Sequence, residues 1–451
     1  MSTIARFPAL AIALALALAG TACDDGAKTP ALSHTQPLVR NAPTPAENGP
    51  KLGIVAELVT VREATDTASA SIGVLHAGAR IARSPAPLSH RGCAGGWYAI
   101  RPRGFVCAGA EATLDLNHPT LAAMALAPSV DGKLPYTYAR ARIETPLFER
   151  DSARPDAVRE VGKLKRRAGM AVVGSWKAKD PNGEEARLAL LTNGRFVKAS
   201  DLEASKPSEF AGVELGKETE LPVAFVVKRG VRTFRVNGNE ADKGDLLEYH
   251  SQLRLSGRFR SLGNVKYWAL EGPSGARDEL WVRHQDVTVV QKRSVFPDFV
   301  KEDTRWVDVS AVTGTLLLYE GKRPLFVTLL SVARELPAGG DTVPAGEMPR
   351  PIPLGTTTIK QKHLTFLGKD HSAFGENFEV QDVPWTLELS SGQLLHGAYW
   401  HDRFGIEHGA GSLALSPADA ARVFRFVGPE LPNGWHAAAS LHEPTHVVIR
   451  K

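Results

Sequence analysis

The sequence predicts a mainly β, multidomain protein. Its 451 residues exceed the size of one small domain and suit about three or four. Apolar residues make up 43% of the chain, which is enough for ordinary hydrophobic cores. The 41 glycines and 30 prolines indicate many turns between short strands. We therefore expect small β modules in series, followed by a larger β domain with short helices.

Residues 1–23 have the composition of a secretory signal peptide. Arg6 is the single charged side chain before an apolar core at residues 9–19, which ends in small residues before Cys23. That core is too short to cross the roughly 30 Å of hydrocarbon in a bilayer. We therefore predict an exported protein of the cell envelope or periplasm.

Residues 20–23, GTAC, resemble the lipoprotein box of bacterial lipoproteins, with Gly20 where a leucine is usual. The resemblance implies that Cys23 is acylated after cleavage and that a lipid anchors the protein to a membrane. The alternative is ordinary cleavage after residues 17–19, which leaves Cys23 in a short soluble leader. Residues 24–50 are rich in Pro, Ala, Thr and Asn and predict a flexible tether.

The net charge of +5 comes from scattered basic residues, with one cluster at residues 163–167, KLKRR. A scattered excess of positive charge concerns solubility first, and it also suits an anionic wall polymer. No recognised nucleic-acid-binding fold or basic stripe is present, so we predict no nucleic-acid partner.

Residues 53–113 form the first predicted module. Short strands with alternating glycine and apolar residues, together with a tryptophan hairpin, resemble bacterial SH3-like small barrels. Residues 97–100 and 105–106 read as two strands joined by a turn, which would bring Cys93 and Cys107 together. Two nearby cysteines in an exported protein usually pair, so we predict a disulfide between them.

The same pattern recurs in residues 145–202 and 222–290, which we interpret as a second and a third SH3-like module. The alternative is chance, since any strand-rich chain contains apolar–glycine patterns. Such modules in exported proteins commonly recognise a wall polymer or a partner. We expect their tryptophans to lie in cores rather than on a ligand-binding face; these are Trp97, Trp176, Trp268 and Trp281.

Residues 303–451 form the predicted C-terminal domain. It begins with three strands, joined by turns at residues 313–314 and 321–322. Ser416 and Pro417 predict the N-cap and the first turn of a short helix. Residues 445–449, THVVI, predict a final strand.

The most informative stretch is residues 395–419, LHGAYWHDRFGIEHGAGSLALSPAD. HGAYWH at 396–401, Phe404-Gly405 and LSP at 415–417 resemble the active-site segment of the L,D-transpeptidase (YkuD-type) family. These cysteine acyltransferases cross-link bacterial peptidoglycan. The family loop reads Ser-His-Gly-Cys, then an apolar residue, then Asn or Arg. Here residues 407–414 read EHGAGSLA, so the resemblance implies a kept fold with altered chemistry.

The loop can be aligned in two registers. Without a gap, Ser412 falls at the nucleophile of the family, Ala410 at its general-base histidine and Ala414 at its Asn or Arg. With a gap, His408 keeps the His-Gly pair but Ala410 replaces the nucleophile. Neither register keeps both parts, and the ungapped one keeps residues 415–417 in step. No cysteine lies beyond Cys107 to serve as a thiol nucleophile.

Candidate site residues follow from this resemblance. His408 is a candidate substitute base for Ser412, and His396 matches the first histidine of the family motif, which helps shape the site. The alternative role of His396 is a hydrogen-bonded histidine of the fold. Tyr399, Trp400 and Gly411 are candidate substrate contacts, with packing as the alternative for the two aromatic residues.

The concentration of histidines in the C-terminal domain raises the alternative of a metal site. His363, His396, His401 and His408 are the candidates, but no His-Glu-x-x-His helix or cysteine pair accompanies them. We therefore expect neither a metal nor another cofactor.

Three functional hypotheses remain. The first is a non-catalytic, wall-associated homologue, a pseudoenzyme, that binds peptidoglycan stem peptides. The second is an active acyltransferase or hydrolase that uses Ser412 in place of cysteine. The third is a structural envelope protein whose cleft has closed.

Overall fold

The computed structural model describes residues 36–272, 279–332, 352–367, 378–408 and 411–451. The predicted signal peptide, Cys23 and the start of the tether lie outside these ranges. The described residues are mainly β, in several sheets with few helices, which confirms the predicted fold class at that level. None of the described helices is both long and apolar enough to cross a membrane.

The first module is built from very short strands. Strands β1, β4 and β7 form one small sheet, whereas β2, β3, β5 and β6 extend a sheet of the C-terminal domain. The bounds are β1 Lys51–Ile54, β2 Leu58–Arg62, β3 Ser71–His76, β4 Arg80–Ala82, β5 Trp97–Ala99, β6 Phe105–Cys107, β7 Ala112–Thr113 and α1 Pro119–Ala123.

The predicted disulfide is confirmed. Strands β5 and β6 pair antiparallel with Trp97 opposite Cys107, and Cys93 is bonded to Cys107. The side chains of Cys93, Trp97 and Phe105 are buried in one small core cluster. Trp97, Trp268 and Trp281 are buried and Trp176 is partly buried, so their packing agrees with the expected core role.

Two antiparallel sheets follow in the chain. The first runs in the order β10-β9-β13-β12-β11-β8-β14, and the second in the order β18-β17-β21-β20-β19-β16-β22. The bounds of the first are β8 Thr137–Ala141, β9 Thr145–Arg150, β10 Val158–Leu164, β11 Gly169–Lys179, β12 Glu185–Leu191, β13 Phe196–Lys198 and β14 Leu202–Ala204. After β15 Val213–Glu214, the bounds of the second are β16 Val223–Val226, β17 Arg232–Asn237, β18 Glu240–Leu246, β19 Gln252–Leu262, β20 Val265–Leu270, β21 Leu280–Arg283 and β22 Val287–Val290.

These sheets occupy the second and third predicted modules. The first sheet begins at β8, ahead of the predicted boundary at residue 145, because β8 pairs with both β11 and β14 at the sheet edge. The second sheet lies within the predicted range 222–290. Whether the sheets are SH3-like stays a prediction.

The C-terminal domain contains a closed ring of strands in the order β27-β28-β29-β25-β24-β23-β31-β26, and β26 pairs back onto β27. The bounds are β23 Arg305–Ser310, β24 Thr315–Glu320, β25 Arg323–Val332, β26 Gly355–Phe366, β27 Val383–Leu389, β28 Leu394–Gly397, β29 Leu413–Leu415, α2 Pro417–Phe426, β30 Ala437–Ala439 and β31 His446–Arg450.

Helix α2 begins as the sequence predicts. Ser416 is the N-cap, its hydroxyl accepts a hydrogen bond from the Asp419 amide at 3.2 Å, and Pro417 opens the helix. The apolar side of α2 packs against the main core cluster of the ring, through residues such as Val423 and Phe424. The helix thereby covers the strands β27, β28 and β29 that carry the candidate site.

The first module is joined to the ring by strand pairing. Strand β3 pairs with β30, with Gly73 opposite Ala438. Gly73 is required there, because a Cβ atom would lie 2.2 Å from the indole of Trp435. The Trp435 indole donates to the Arg101 carbonyl at 3.0 Å, so the tryptophan links the two parts of the chain.

A buried carboxylate joins the β8–β14 sheet to the ring. Asp382, just before β27, accepts hydrogen bonds from the Thr192 hydroxyl at 2.8 Å and the Ala171 amide at 3.2 Å. The Tyr138 hydroxyl donates a hydrogen bond to the main-chain carbonyl of Asp382 at 2.6 Å. Burial raises the pKa of Asp382 to about 6, since a charged carboxylate is poorly solvated in the interior.

This raised pKa makes the stability of the joint depend on pH. The folded state binds the Asp382 proton more tightly than the unfolded state, so the stabilisation is complete below a pH of about 4 and is lost as pH rises through about 6. We expect wild type to gain about 1 kcal/mol per pH unit over Asp382→Asn between pH 6 and pH 4. Thermal unfolding at several pH values measures this difference. The exposed Asp242→Asn is the control, and a pH-independent difference for Asp382→Asn would contradict the assignment.

Candidate functional site

Residues 398–408 form an irregular segment between β28 and β29. Its backbone carbonyls accept side-chain donors from other parts of the chain. The Ser205 hydroxyl donates to the Tyr399 carbonyl at 3.1 Å, and the His250 imidazole donates to the Phe404 carbonyl at 3.2 Å. Buried backbone groups need such partners. The linker after the β8–β14 sheet and the β16–β22 sheet therefore both help to hold the predicted active-site segment.

The structure brings His396 and Ser412 together. His396 lies on β28 and Ser412 directly precedes β29, and these two strands pair parallel with His396 opposite Ala414. The Nε2 atom of His396 lies 3.1 Å from the Ser412 hydroxyl oxygen. Both side chains are buried, with exposed fractions of 1% and 3%. This is the contact that a hydroxyl nucleophile needs with its base.

The hydrogen bonds of His396 define its tautomer. Its Nδ1 atom lies 3.2 Å from the Gly397 carbonyl, which can only accept a hydrogen bond. Nδ1 therefore carries the proton, and in the neutral ring Nε2 is left to accept from the Ser412 hydroxyl. The arrangement of serine, histidine and an orienting acceptor matches the general logic of a catalytic triad, with a backbone carbonyl in the orienting position.

The surroundings of His396 keep it neutral. Burial lowers the pKa of His396 to about 4, with the Gly397 carbonyl acting in the opposite direction. The Trp400 indole stacks on the imidazole at a centroid distance of 5.6 Å. Burial likewise lowers the pKa of His401 to about 2. At neutral pH both rings are therefore uncharged.

The sequence predicts a substitute base elsewhere in the loop, at His408. Ala410 and Gly409 lie outside the described residues. The contacts described for His408 include the Arg403 guanidinium at 3.3 Å and the His401 ring at 4.5 Å. His396, a candidate site residue from its match to the first histidine of the family motif, is an imidazole that touches Ser412. The sequence shows two short apolar strands, one that contains His396 and one that follows Ser412. No local pattern reveals that these two strands pair.

The candidate substrate contacts have different environments. Tyr399 is 1% exposed, packs on the Tyr138 ring at 4.2 Å and donates to the Gln381 carbonyl at 2.8 Å. These are the contacts of a core residue. Trp400 is partly buried and lines a cavity of about 460 Å³ with His401 and Asp402. Gly411 has a positive φ of 97°, a conformation that suits glycine in the turn before Ser412.

The histidines of the site do not form a metal cluster in the part of the chain that the structure describes. There, no group of three or more His, Cys, Asp or Glu side chains is arranged to hold a metal ion. His363 lies on β26 near Glu388 of β27, at 4.0 Å, and β27 separates it from β28, the strand that carries His396.

No protein-family model and no curated protein sequence matches this chain. Among solved structures, the chain is similar to part of an L,D-transpeptidase from Xylanimonas cellulosilytica, with 14% identity over 35% of this chain and 64% of that one and a TM-score of 0.24. A Cys→Ser mutant of the Enterococcus faecium L,D-transpeptidase matches with 15% identity over 36% and 54% of the two chains and a TM-score of 0.24. An L,D-transpeptidase from Mycobacterium tuberculosis H37Rv matches with 16% identity over 44% and 77%, and a TM-score of 0.23. The chain thus spans less than two thirds of the first two structures.

The buried His396 should titrate at an unusually low pH. Its neutral form is favoured by desolvation, so we expect the ring to stay neutral down to about pH 5 and to titrate near pH 4. NMR of the chain with ¹⁵N-labelled histidine measures the midpoint, and the resonances lost in His396→Gln provide the assignment. A midpoint near 6.5 would show an imidazole open to solvent and would contradict the buried contact with Ser412.

Proposed function

We propose that this chain is an envelope protein of the L,D-transpeptidase type that binds peptidoglycan stem peptides without completing acyl transfer. The observation that carries the proposal is the His396–Ser412 contact at 3.1 Å, in the segment whose motifs resemble the active site of that family. A site built in this way has kept its shape. Its reactive groups are a weaker nucleophile and a weaker base than acyl transfer requires.

The weakness of the pair has three physical causes. A serine hydroxyl is far less ionised than a thiol at neutral pH and depends on its base. The pKa of about 4 makes His396 a poor proton acceptor, and the shift from 6.5 opposes its protonation by about 3 kcal/mol. The Nδ1 proton faces the neutral Gly397 carbonyl rather than a carboxylate that would stabilise an imidazolium.

A second candidate function is acyl transfer by Ser412 itself. The geometry that favours it is the same hydrogen bond, because Nε2 of His396 is positioned to take the hydroxyl proton during attack on a peptide carbonyl. The released amine would then receive that proton from the imidazolium. The low basicity of His396 places this candidate second.

The proposal extends to the rest of the chain. Residues 1–23 would direct export, and acylated Cys23 would hold the protein at a membrane through the tether. The SH3-like modules would contribute wall recognition. Stem peptides and the membrane, rather than nucleic acid, would be the partners in this arrangement.

The first test is intact-protein mass spectrometry of the full-length protein in detergent, incubated with tetrapeptide muropeptides. We expect no acyl adduct, together with measurable binding of the same muropeptides by calorimetry. An L,D-transpeptidase that retains its cysteine is the positive control. An adduct that maps to Ser412 and disappears in Ser412→Ala would establish the second function instead. Absence of both adduct and binding would overturn the peptide-binding proposal.

A second prediction concerns the variant Ser412→Cys. A thiol is a stronger nucleophile than a hydroxyl and loses its proton more readily, so we expect this variant to form an acyl adduct with the tetrapeptide. The double variant Ser412→Cys with His396→Gln should lose most of that reactivity. If Ser412→Cys binds the peptide but remains unacylated, residue 412 does not face the bound carbonyl and the retained site is not aligned for chemistry.

A further inference from the structure

Three arginines from three separate parts of the chain meet at the cavity beside Trp400. Arg167 comes from the turn between β10 and β11, Arg229 from the turn between β16 and β17, and Arg403 from the irregular segment. The cavity has a volume of about 460 Å³. Trp400 lines it and also stacks on His396, so the cavity adjoins the candidate site. The β8–β14 sheet and the β16–β22 sheet, called the accessory sheets below, thus contribute side chains to the wall of the cavity.

The structure holds Arg167 and Arg229 in place. Arg167 has a positive φ of 73°, its amide donates to the Ala141 carbonyl at 2.8 Å, and its guanidinium lies 4.7 Å from the centre of the Phe378 ring. The Arg229 guanidinium lies 4.5 Å from the centre of the Tyr249 ring. Both arginine side chains are exposed to solvent. Stacking on an aromatic ring limits the motion of a guanidinium while its N–H groups stay available.

The cavity carries an excess of positive charge. Among the described residues that line the cavity, one carboxylate, that of Asp402, accompanies the three arginines, and it lies 3.8 Å from Arg229. Asp402 also accepts a hydrogen bond from the Ser208 hydroxyl at 2.6 Å, so its charge is partly satisfied by the linker. An imidazole such as His401, whose pKa is lowered to about 2, adds no charge. Three cations against one anion favour an anionic ligand.

We propose that this cavity is a subsite for a free carboxylate of a bound peptide, completed by Arg167 and Arg229 from the accessory sheets. The proposal rests on the peptide-binding function and names the chemistry that the site selects. A guanidinium presents paired donors that match a carboxylate. Trp400 and Ile406 provide apolar wall for the adjoining part of a peptide. Asp402 would repel a doubly charged phosphate more strongly than a singly charged carboxylate.

This assignment gives a role to the basic cluster at residues 163–167. Arg167 is the member of the cluster that lines the cavity, and its left-handed backbone conformation turns the chain there. Such a conformation is uncommon for a residue with a side chain and is often found at functional sites. The accessory sheets would therefore select the ligand as well as hold the protein on the wall.

The test measures binding of two tetrapeptides to the full-length protein in detergent by calorimetry. One peptide has free side-chain and C-terminal carboxylates, and the other has all of them amidated. We expect Arg167→Gln and Arg229→Gln each to weaken binding of the free peptide by about tenfold or more, because a charge-assisted hydrogen bond is lost. The amidated peptide should bind weakly, and the two substitutions should not change its affinity.

Matched controls separate the cavity from general charge. Arg166→Gln and Arg232→Gln remove the same charge from the same two sheets, at positions outside the cavity lining, and should leave binding unchanged. Equal losses in all four variants would overturn the subsite, as would equal affinity for the free and the amidated peptide. Displacement of the free peptide by inorganic phosphate at similar concentrations would replace the carboxylate assignment with a general anion site.

The same measurements distinguish a wrong carboxylate subsite from a wrong peptide-binding function. If wild type binds both peptides equally and Trp400→Ala abolishes that binding, the cleft binds peptide and the carboxylate subsite is wrong. If wild type binds neither peptide, both proposals are wrong.

Discussion

The arrangement of the elements around the candidate site depends on the need to satisfy a partly buried, irregular backbone. Residues 398–408 carry the candidate site between β28 and β29, and they have no ladder of their own to pair their carbonyls. Donors come from Ser205 of the linker and from Tyr249 and His250 of the β16–β22 sheet. An unpaired buried carbonyl would be costly. The β16–β22 sheet and the linker before it therefore support the site directly and are not independent of the ring.

Burial has two opposite effects on the His396–Ser412 pair. It excludes water from the hydrogen bond, which keeps the two side chains in one geometry. It also removes solvation from a charged imidazole, which lowers the basicity that catalysis would need. The same environment thus fixes the geometry of the pair and weakens its acid–base chemistry.

The sequence correctly predicts the features that are determined by residues close together in the chain. The disulfide between Cys93 and Cys107, the Ser416 cap and the hairpin strands of the C-terminal domain depend on neighbouring residues. The contacts that define the site depend on residues far apart in the chain. Parallel pairing of β28 with β29 brings His396 to Ser412, and Asp382 meets Thr192 across two domains. The pairing of β3 with β30 likewise has no local signal in the sequence. The first module and the C-terminal ring, which are far apart in the chain, are nevertheless joined in the fold.

The position of β31 in the ring has a consequence for the order of folding. This strand, late in the sequence, lies between β23 and β26 and pairs with both. Until it arrives, those two strands present unpaired edges, which are prone to wrong association. A chain that emerges from its N-terminus can form its accessory sheets before β31 is available. The ring that carries the His396–Ser412 pair therefore closes only after residues 446–450 have emerged.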